Sequence, residues 1–420
     1  FTVGNNQLTA TVGGSLGISW INAAAAASTL TTTGTALNVS GVTLTNVSTL
    51  QSTSGSATTV TVDNGQLGSG KVTGIDVAAN SSILASSSGA LDVSAVTLDS
   101  QIATLSGTGI TTFTVNNAQL TAASGPVSTL SSGAANGVVT TAGTALDLTG
   151  ASLTNIATVQ TTNSGTSNTI TIDHTQSGGL GTISSTGTGA TLQFSNTTGS
   201  SDLSAKTLGN IATVAGGSGV DTITVANSGA VTLTGGGSAD VFTLDGSGAV
   251  TITDLGAGNL NDVFTVASGA SVTATVTGNW AATSATKNLG SQAADAALTV
   301  AGTSTVDLSL ATVTTASSDG FKVTSTGTGA ITGSSGDDTI INTSGAASIT
   351  GGAGADTITG GTGVDTIVFA ATASANGTDT ITSFTAGTDK IDLNAFDTNG
   401  TLIAATGSPT LGAGETFYLF

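Results

Sequence analysis

Cysteine, methionine and arginine are all missing from this 420-residue chain, which also holds two prolines, two tryptophans, one tyrosine and one histidine. Without cysteine there is no disulfide framework, no thiol nucleophile and no thiolate metal site. A lone His174 leaves no material for a histidine-based zinc cluster or triad. Five lysines (Lys71, Lys206, Lys287, Lys322 and Lys390) face 24 acidic residues, for a net charge of −19. Such a chain repels phosphate backbones and has no basic groove, so no nucleic-acid partner is expected. The usual helix formers Glu, Lys, Arg, Gln and Met are scarce, which excludes a helical bundle. No stretch of 18 residues is free of polar groups, so no membrane insertion is expected.

What remains is Gly, Ala, Ser, Thr, Asn, Asp, Val, Ile and Leu. Hydrophobic residues make up 38 per cent, which argues against disorder. Thr, Val and Ile alternate in short runs punctuated by Gly and Asn, the pattern of many short strands and tight turns.

Repeats at two scales give these strands an order. Segments beginning at Gly34, Gly89, Gly143 and Ser201 align, and their equivalent residues Asn38, Asp92, Asp147 and Asp202 are spaced 54, 55 and 55 residues. Phe113 to Leu120 echoes Phe1 to Leu8, so the chain opens partway through a repeat. A shorter period joins Asp221, Asp240 and Asp262, which sit in similar settings 19 and 22 residues apart. The expected fold is all-β: a right-handed parallel β-solenoid, or β-roll, with coils of 18–19 residues grouped in 55-residue repeats. Alternate apolar side chains fill a narrow core, and each coil is stable only when stacked on its neighbours.

From Thr324 five nonapeptides run in register: 324–332 (TSTGTGAIT), 333–341 (GSSGDDTII), 342–350 (NTSGAASIT), 351–359 (GGAGADTIT) and 360–368 (GGTGVDTIV). Gly holds position four and Ile position eight throughout, while Asp338, Asp356 and Asp365 hold position six. This is the pattern G-G-x-G-x-D-x-U-x of calcium-binding parallel β-rolls. Asp supplies hard anionic oxygen, which suits Ca²⁺ with its six to eight oxygen ligands. Two nonapeptides make one turn, so Asp338 and Asp356 should stack, while Asp365 looks back at Ala347 and depends on the chain after 368. Upstream, 216–224 matches fully, 235–243 lacks the fourth Gly, and 256–264 carries an insertion. Stacking Asp221, Asp240 and Asp262, with Gly216 and Gly235 in their loops, would give two further sites. Asp63, Asp76, Asp99, Asp173 and Asp295 read instead as turn residues capping their own loops.

These residues resemble the RTX (repeats-in-toxin) family of secreted calcium-binding proteins. The resemblance implies side-chain ligation by Asp338, Asp356 and Asp365, with carbonyls of Gly333, Gly351 and Gly360 completing the shells. Residues 377–393 look like the sequence that follows the last coils in that family, which gives Asp379 a final ligand role. The motif match covers about 216–268 and 324–393; the rest resembles the repetitive regions of bacterial S-layer proteins and large adhesins. Type I secretion and folding on meeting extracellular calcium are further implications.

Five regions are expected: a solenoid with degenerate motifs over 1–215, calcium-binding coils over 216–278, an irregular insertion and return to solenoid over 279–323, the main calcium-binding roll over 324–393, and a strand region over 394–420. The expected function is an extracellular structural protein at a bacterial surface, not an enzyme, assembling with copies of itself into an S-layer or filament, with cell-surface polysaccharide as a further partner. An adhesin or biofilm-matrix role is the nearest alternative. Ice binding would require regular Thr rows on one flat face, as runs such as Thr59-Val60-Thr61, Thr169-Ile170-Thr171 and Thr222-Ile223-Thr224 suggest. A polysaccharide-active β-helix enzyme would need Lys or Arg clustered with carboxylates. Trp280 reads either as part of a loop for subunit contacts or as a buried ring plugging a widened coil.

Overall fold

The structure, a computed structural model, describes residues 2–3, 20–23, 27–78, 80–87, 89–109, 111–226, 229–259, 261–314, 319–370, 372, 375–393, 395 and 417–418. It is nearly all parallel β, with stacked coils forming a β-solenoid of about 16 turns and a helix content of 5%. The chain divides into two compact units: Phe1–Ser195 with Lys206–Ala212, and Asn196–Ala205 with Thr213–Phe420. No helix among the described residues is long and apolar enough to cross a membrane. The stretch 4–19, with most of the Phe1–Leu8 echo, and nearly all of 394–420 lie outside the described residues.

In the first unit the two-residue alternation builds the core directly. Along Thr59–Val62, Val60 and Val62 are buried while Thr59 and Thr61 stay partly open. Pairing in parallel register then stacks Leu37 on Val60, Val60 on Ile83, Ile83 on Leu105 and Leu105 on Leu130, all essentially without solvent contact. Thr and Ser fill the outward positions of these strands, where β-branched residues fit the pleat.

The coils here are longer than the expected 18–19 residues. Asn46, Ser106 and Asn155 reach carbonyls of the adjacent coil 23 residues back. Short helical turns also lie between strands, at Asn64–Gln66, Asn117–Gln119 and His174–Ser177, outside these three steps. A 55-residue repeat is therefore not three whole coils, and its equivalent residues do not stack on one another. The repeat marks places where the chain changes sheets. Ala36–Asn38, Gly89–Asp92 and Ala145–Asp147 each begin a sheet, and the strands after them, Thr43–Thr45, Thr97–Leu98 and Ser152–Thr154, each end one.

The turn at each change closes on itself. Asn38, Asp92 and Asp147 each accept the N–H two residues on, at 2.9–3.0 Å. A glutamine one coil later then clamps that turn: Gln119 Nε2 donates to the carbonyls of Val93 and Val96 at 2.6 and 2.8 Å, and Gln176 Nε2 to those of Leu148 and Ala151 at 2.8 and 2.6 Å. Gln66 holds Val39 and Val42 in the same way. Asn46, Asn155 and Asn210 adopt φ of 57–60°. Asn tolerates this left-handed conformation better than other side chains except Gly, and each amide also donates to a carbonyl one coil below.

In the second unit the nonapeptide register is as read from the sequence. Ile340 pairs with Ile358, and Ile331 with Ile349 and then Ile367, steps of one 18-residue turn. Over 279–323 short strands pair in parallel from coil to coil. Trp280–Ala281 pairs with Val306–Asp307, Lys287–Asn288 with Thr312–Val313, and Ala296–Val300 with Asp319–Ser325. Trp280 is buried, stacks on Phe264 at 6.0 Å and donates from Nε1 to the Asp262 carbonyl at 2.8 Å, which is the plugged-coil alternative. Asp307 heads a further copy of the self-closing turn, with Ser309 N–H at 2.9 Å, as Asp202 does with Ser204. Phe417–Tyr418 pairs antiparallel with Thr380 and Ile381.

Candidate metal centre

Each motif aspartate of the second unit follows a Gly-rich turn and lies at the start of a short strand or immediately before it, Asp338 being the second residue of Asp337–Asn342. In the upstream set, Asp221 N–H donates to Asp240 Oδ1 at 2.7 Å, and Asp240 N–H to Asp262 Oδ1 at 2.9 Å. Downstream, Asp338 N–H donates to Asp356 Oδ1 at 2.8 Å and Asp356 N–H to Asp379 Oδ1 at 3.1 Å. Opposite strands carry a separate pair, in which Asp365 N–H donates to Asp389 Oδ1 at 2.9 Å. The three columns thus gather every aspartate read from the sequence as a candidate ligand. Asp365 does face Ala347, whose N–H it accepts at 2.9 Å, and the chain after 368 contributes Asp389.

Asp389 is a residue that the sequence reading missed. Its signal was present: Gly387-Thr388-Asp389-Lys390-Ile391 copies the spacing of Gly377-Thr378-Asp379-Thr380-Ile381. The aspartates read as loop caps behave as such at Asp63, Asp173 and Asp295, each of which closes a capping box, and at Asp99, which accepts Gln101 N–H at 2.8 Å. Asp76 accepts the Gln51 amide of the neighbouring coil at 2.6 Å, and Asp63 and Asp173 also reach across coils, to Gly41 N–H at 2.6 Å and Gly150 N–H at 2.7 Å.

The second carboxylate oxygen separates two kinds of turn. In Asp221, Asp338, Asp365 and Asp389, Oδ2 accepts the N–H four residues upstream, from Gly217, Ser334, Gly361 and Thr385, at 2.6–3.1 Å. In Asp240 and Asp356, Oδ2 is buried without any partner. The residue four upstream is in both cases a glycine at positive φ, Gly236 at +102° and Gly352 at +111°. Only glycine adopts these angles without strain, and the turn directs the N–H away from the carboxylate.

Burial sets the protonation chemistry. Desolvation is the largest cause acting on all five shifted aspartates and disfavours the anion. It lifts Asp356 to about 8 and Asp240 to about 7, and neighbouring carboxylates add to the rise. Asp338 goes to about 7, while Asp262 and Asp379 go to about 6. No basic group offsets this at Asp240 or Asp356.

The glycines carried over by the resemblance lie against these oxygens. A side chain on Gly216 would collide with Asp221 Oδ2 and the Gly235 carbonyl, and one on Gly333 with the Gly351 carbonyl and, at 2.6 Å, Asp338 Oδ2. Gly235 and Gly351 are closed in the same way by Asp240 Oδ2 and Asp356 Oδ2. Beside Gly360 the space is wider, with Asp365 Oδ2 and the Ser383 carbonyl at 3.4 Å and Asp389 Oδ2 at 3.8 Å from the position of a Cβ. Carboxylate and carbonyl oxygens therefore converge on Gly216, Gly333 and Gly360, while at Gly235 and Gly351 the carboxylate closes the first glycine and a carbonyl, of Gly217 or Ser334, crowds the second. Among the described residues no three His, Cys, Asp or Glu side chains gather as a metal-binding group. An ion here would take one or two carboxylates and complete its shell from main-chain carbonyls, a hard-oxygen set that fits Ca²⁺.

No family model, no curated protein and no solved structure matches this chain.

Proposed function

We propose that the chain is an extracellular structural protein, a calcium-stabilised β-solenoid that assembles with copies of itself into a surface layer or filament. The observation that carries the calcium part is the orphaned Oδ2 of Asp356 and of Asp240, buried at carbonyl-lined turns. An unpaired buried carboxylate is costly, and a hard cation at these turns removes the cost. In this reading Asp221, Asp240, Asp262, Asp338, Asp356, Asp365, Asp379 and Asp389 supply the carboxylates, and the turns around Gly216, Gly235, Gly333, Gly351 and Gly360 supply the carbonyls. Calcium contributes charge neutralisation there, while this chain's own residues supply geometry. Ile340, Ile358 and Ile367 anchor the strands that hold the turns one coil apart.

The surface-coat part rests on the repeats and on the absence of arginine and of clustered lysine, which leaves a Ser/Thr exterior. The second unit does carry a Thr row at its outward positions: Thr213, Thr232, Thr251 and Thr273, then Thr339, Thr357 and Thr380. Ala297 and Lys322 occupy the positions between. That interruption breaks the lattice which ice binding requires, so the coat reading is preferred. The deciding experiment follows assembly by electron microscopy during chelation and calcium readdition. Ordered sheets or filaments that dissolve and re-form support the reading; a protein that binds calcium yet stays monomeric at high concentration rejects self-assembly.

A further inference from the structure

We propose that Asp254 and Asp240 together form a divalent-cation seat at the Gly235–Gly236 turn, a site in which one ligand lies outside the nonapeptide pattern. The inference rests on the calcium reading of Asp240 given above and adds a carboxylate that no motif position predicts.

Asp254 lies in the strand Ala249–Leu255, whose register against Ser271–Val276 slips between Ile252 and Leu255. Thr253 and Asp254 together oppose a single partner residue, which is a β-bulge. Bulges re-aim a side chain while keeping the strand paired. Here Leu255 keeps a fully buried place in the core. The Asp254 carboxylate turns back onto the preceding coil, where Oδ2 accepts Thr234 Oγ1 at 2.8 Å, Gly235 N–H at 2.9 Å and Gly236 N–H at 3.0 Å.

These bonds have a consequence at Asp240. Gly236 is the residue four upstream, the position whose N–H caps the carboxylate in the turns of Asp221, Asp338, Asp365 and Asp389. Asp254 takes that N–H, which the positive-φ turn already directs away from Asp240, and Asp240 Oδ2 lies buried and unpartnered against Gly235, on a side chain only 1% exposed. Asp254 Oδ1 is likewise buried without a partner. One extra residue thus adds a second anion at the same glycine. Asp254 and Asp262 both raise the proton affinity of Asp240. Two unpaired carboxylate oxygens, beside the Gly217 carbonyl that crowds Gly236, call for a hard divalent cation. The irregular turn and its carbonyls suit Ca²⁺ over Mg²⁺, which demands near-octahedral geometry and keeps its waters.

Trp280 provides a local readout, because its indole bonds the Asp262 carbonyl and its Cβ lies at Gly256, two residues beyond Asp254. In the full chain carrying Trp20→Phe, Trp280 is the one remaining tryptophan. Terbium, a luminescent stand-in for calcium, is titrated with excitation through tryptophan, and calorimetry with Ca²⁺ is run in parallel. The expected result is sensitised emission displaced by Ca²⁺, with terbium affinity at least tenfold weaker in Asp254→Asn, while calcium heat from the turns of 333–389 persists. Asparagine keeps an acceptor for the Gly235 and Gly236 N–H groups, and circular dichroism checks that the variant folds. If Asp240→Asn abolishes the emission and Asp254→Asn leaves it unchanged, the motif binds its ion without Asp254; this proposal is then wrong, and the calcium reading stands. Calcium heat without any Trp280-sensitised emission likewise overturns the proposal and leaves the calcium reading intact. No calcium heat and no terbium emission from the parent chain overturn both.

Discussion

The two units solve the same problem, how to close the corners of a narrow solenoid, with different chemistry. The first closes them with neutral amides and self-capping turns, and among the described residues its buried orphan atoms are the oxygens of Asn116, Thr140 and Asn168. The second closes them with carboxylates, and among the described residues three of its four buried orphan atoms are the carboxylate oxygens of Asp240, Asp254 and Asp356. A neutral orphan costs about 1–3 kcal/mol and a charged one more. The comparison teaches that one fold can be complete by itself in one region and conditional on a ligand in another. Gln119 and Gln176 bring their donors in the sequence, whereas Asp240 and Asp356 wait for a cation or a proton.

The largest expected effect tests that division directly. Chelation near pH 8 should raise amide hydrogen exchange across 216–278 and 333–393 by at least a hundredfold at the strand centres. Strands such as Thr59–Val62 and Ile156–Thr161 should change by less than threefold. Uniform loosening of both units would erase the comparison, and no change anywhere would remove calcium from it.

Protons should partly replace the cation, and the sign is fixed by the direction of the shifts. Asp356, Asp240 and Asp338 have folded-state values of about 8, 7 and 7, raised from 3.8 by desolvation. A raised folded value means stability that is complete below about pH 4 and lost as pH rises through about 7 to 8. Without calcium, the second unit should therefore melt higher at about pH 5 than at about pH 8.5, and saturating calcium should flatten that slope. Asp356→Asn sharpens the assignment: it should stabilise the calcium-free protein at pH 8.5 by about 1–3 kcal/mol and lower the gain on adding calcium. A wild-type melting temperature that rises with pH in chelator would contradict the burial argument.

How much of this was legible depended on how regular the local period was. The coils of 324–368 could be read because Gly at position four, Asp at six and Ile at eight recur without insertion, and a fixed period dictates which residues stack. The coil length of the first unit could not, because the repeat that recurs there, as at Leu146–Thr149, marks a change of sheet and not one coil. The strands of 279–323 escaped notice for another reason. Trp280–Ala281, Lys287–Asn288, Val306–Asp307 and Thr312–Val313 are two residues long, too short for alternation to show. Asp254 was hidden because a bulge is a relation between two strands, and sequence spacing within one strand does not encode it.

A clamp of the first unit should give a middle-sized effect. Gln119→Ala removes both bonds to Val93 and Val96 and the acceptor for Asn116 N–H at 2.9 Å, all at a buried site. The Val93 carbonyl keeps the Val96 N–H at 2.8 Å, so orphaning the Val96 carbonyl and the Asn116 N–H should cost about 2–4 kcal/mol, and the loss should be equal with calcium and with chelator. A loss that calcium rescues would mean that the amide-closed unit also leans on the ion.

The smallest effect separates backbone strain from hydrogen bonding at Asn155. This residue holds φ at 57° and donates to the Ser132 carbonyl at 3.0 Å. Asn155→Gly loses that bond, worth about 1 kcal/mol, but relieves the left-handed conformation by a similar amount, so net stability should move by less than about 1 kcal/mol. Asn155→Ala loses the bond and keeps the strain, and should cost about 2 kcal/mol. Chemical denaturation of both variants in calcium and in chelator gives four numbers. Glycine near neutral and alanine costly, unchanged by calcium, is the signature of a corner closed by the backbone's own geometry. Equal losses would assign the role of Asn155 to its amide alone.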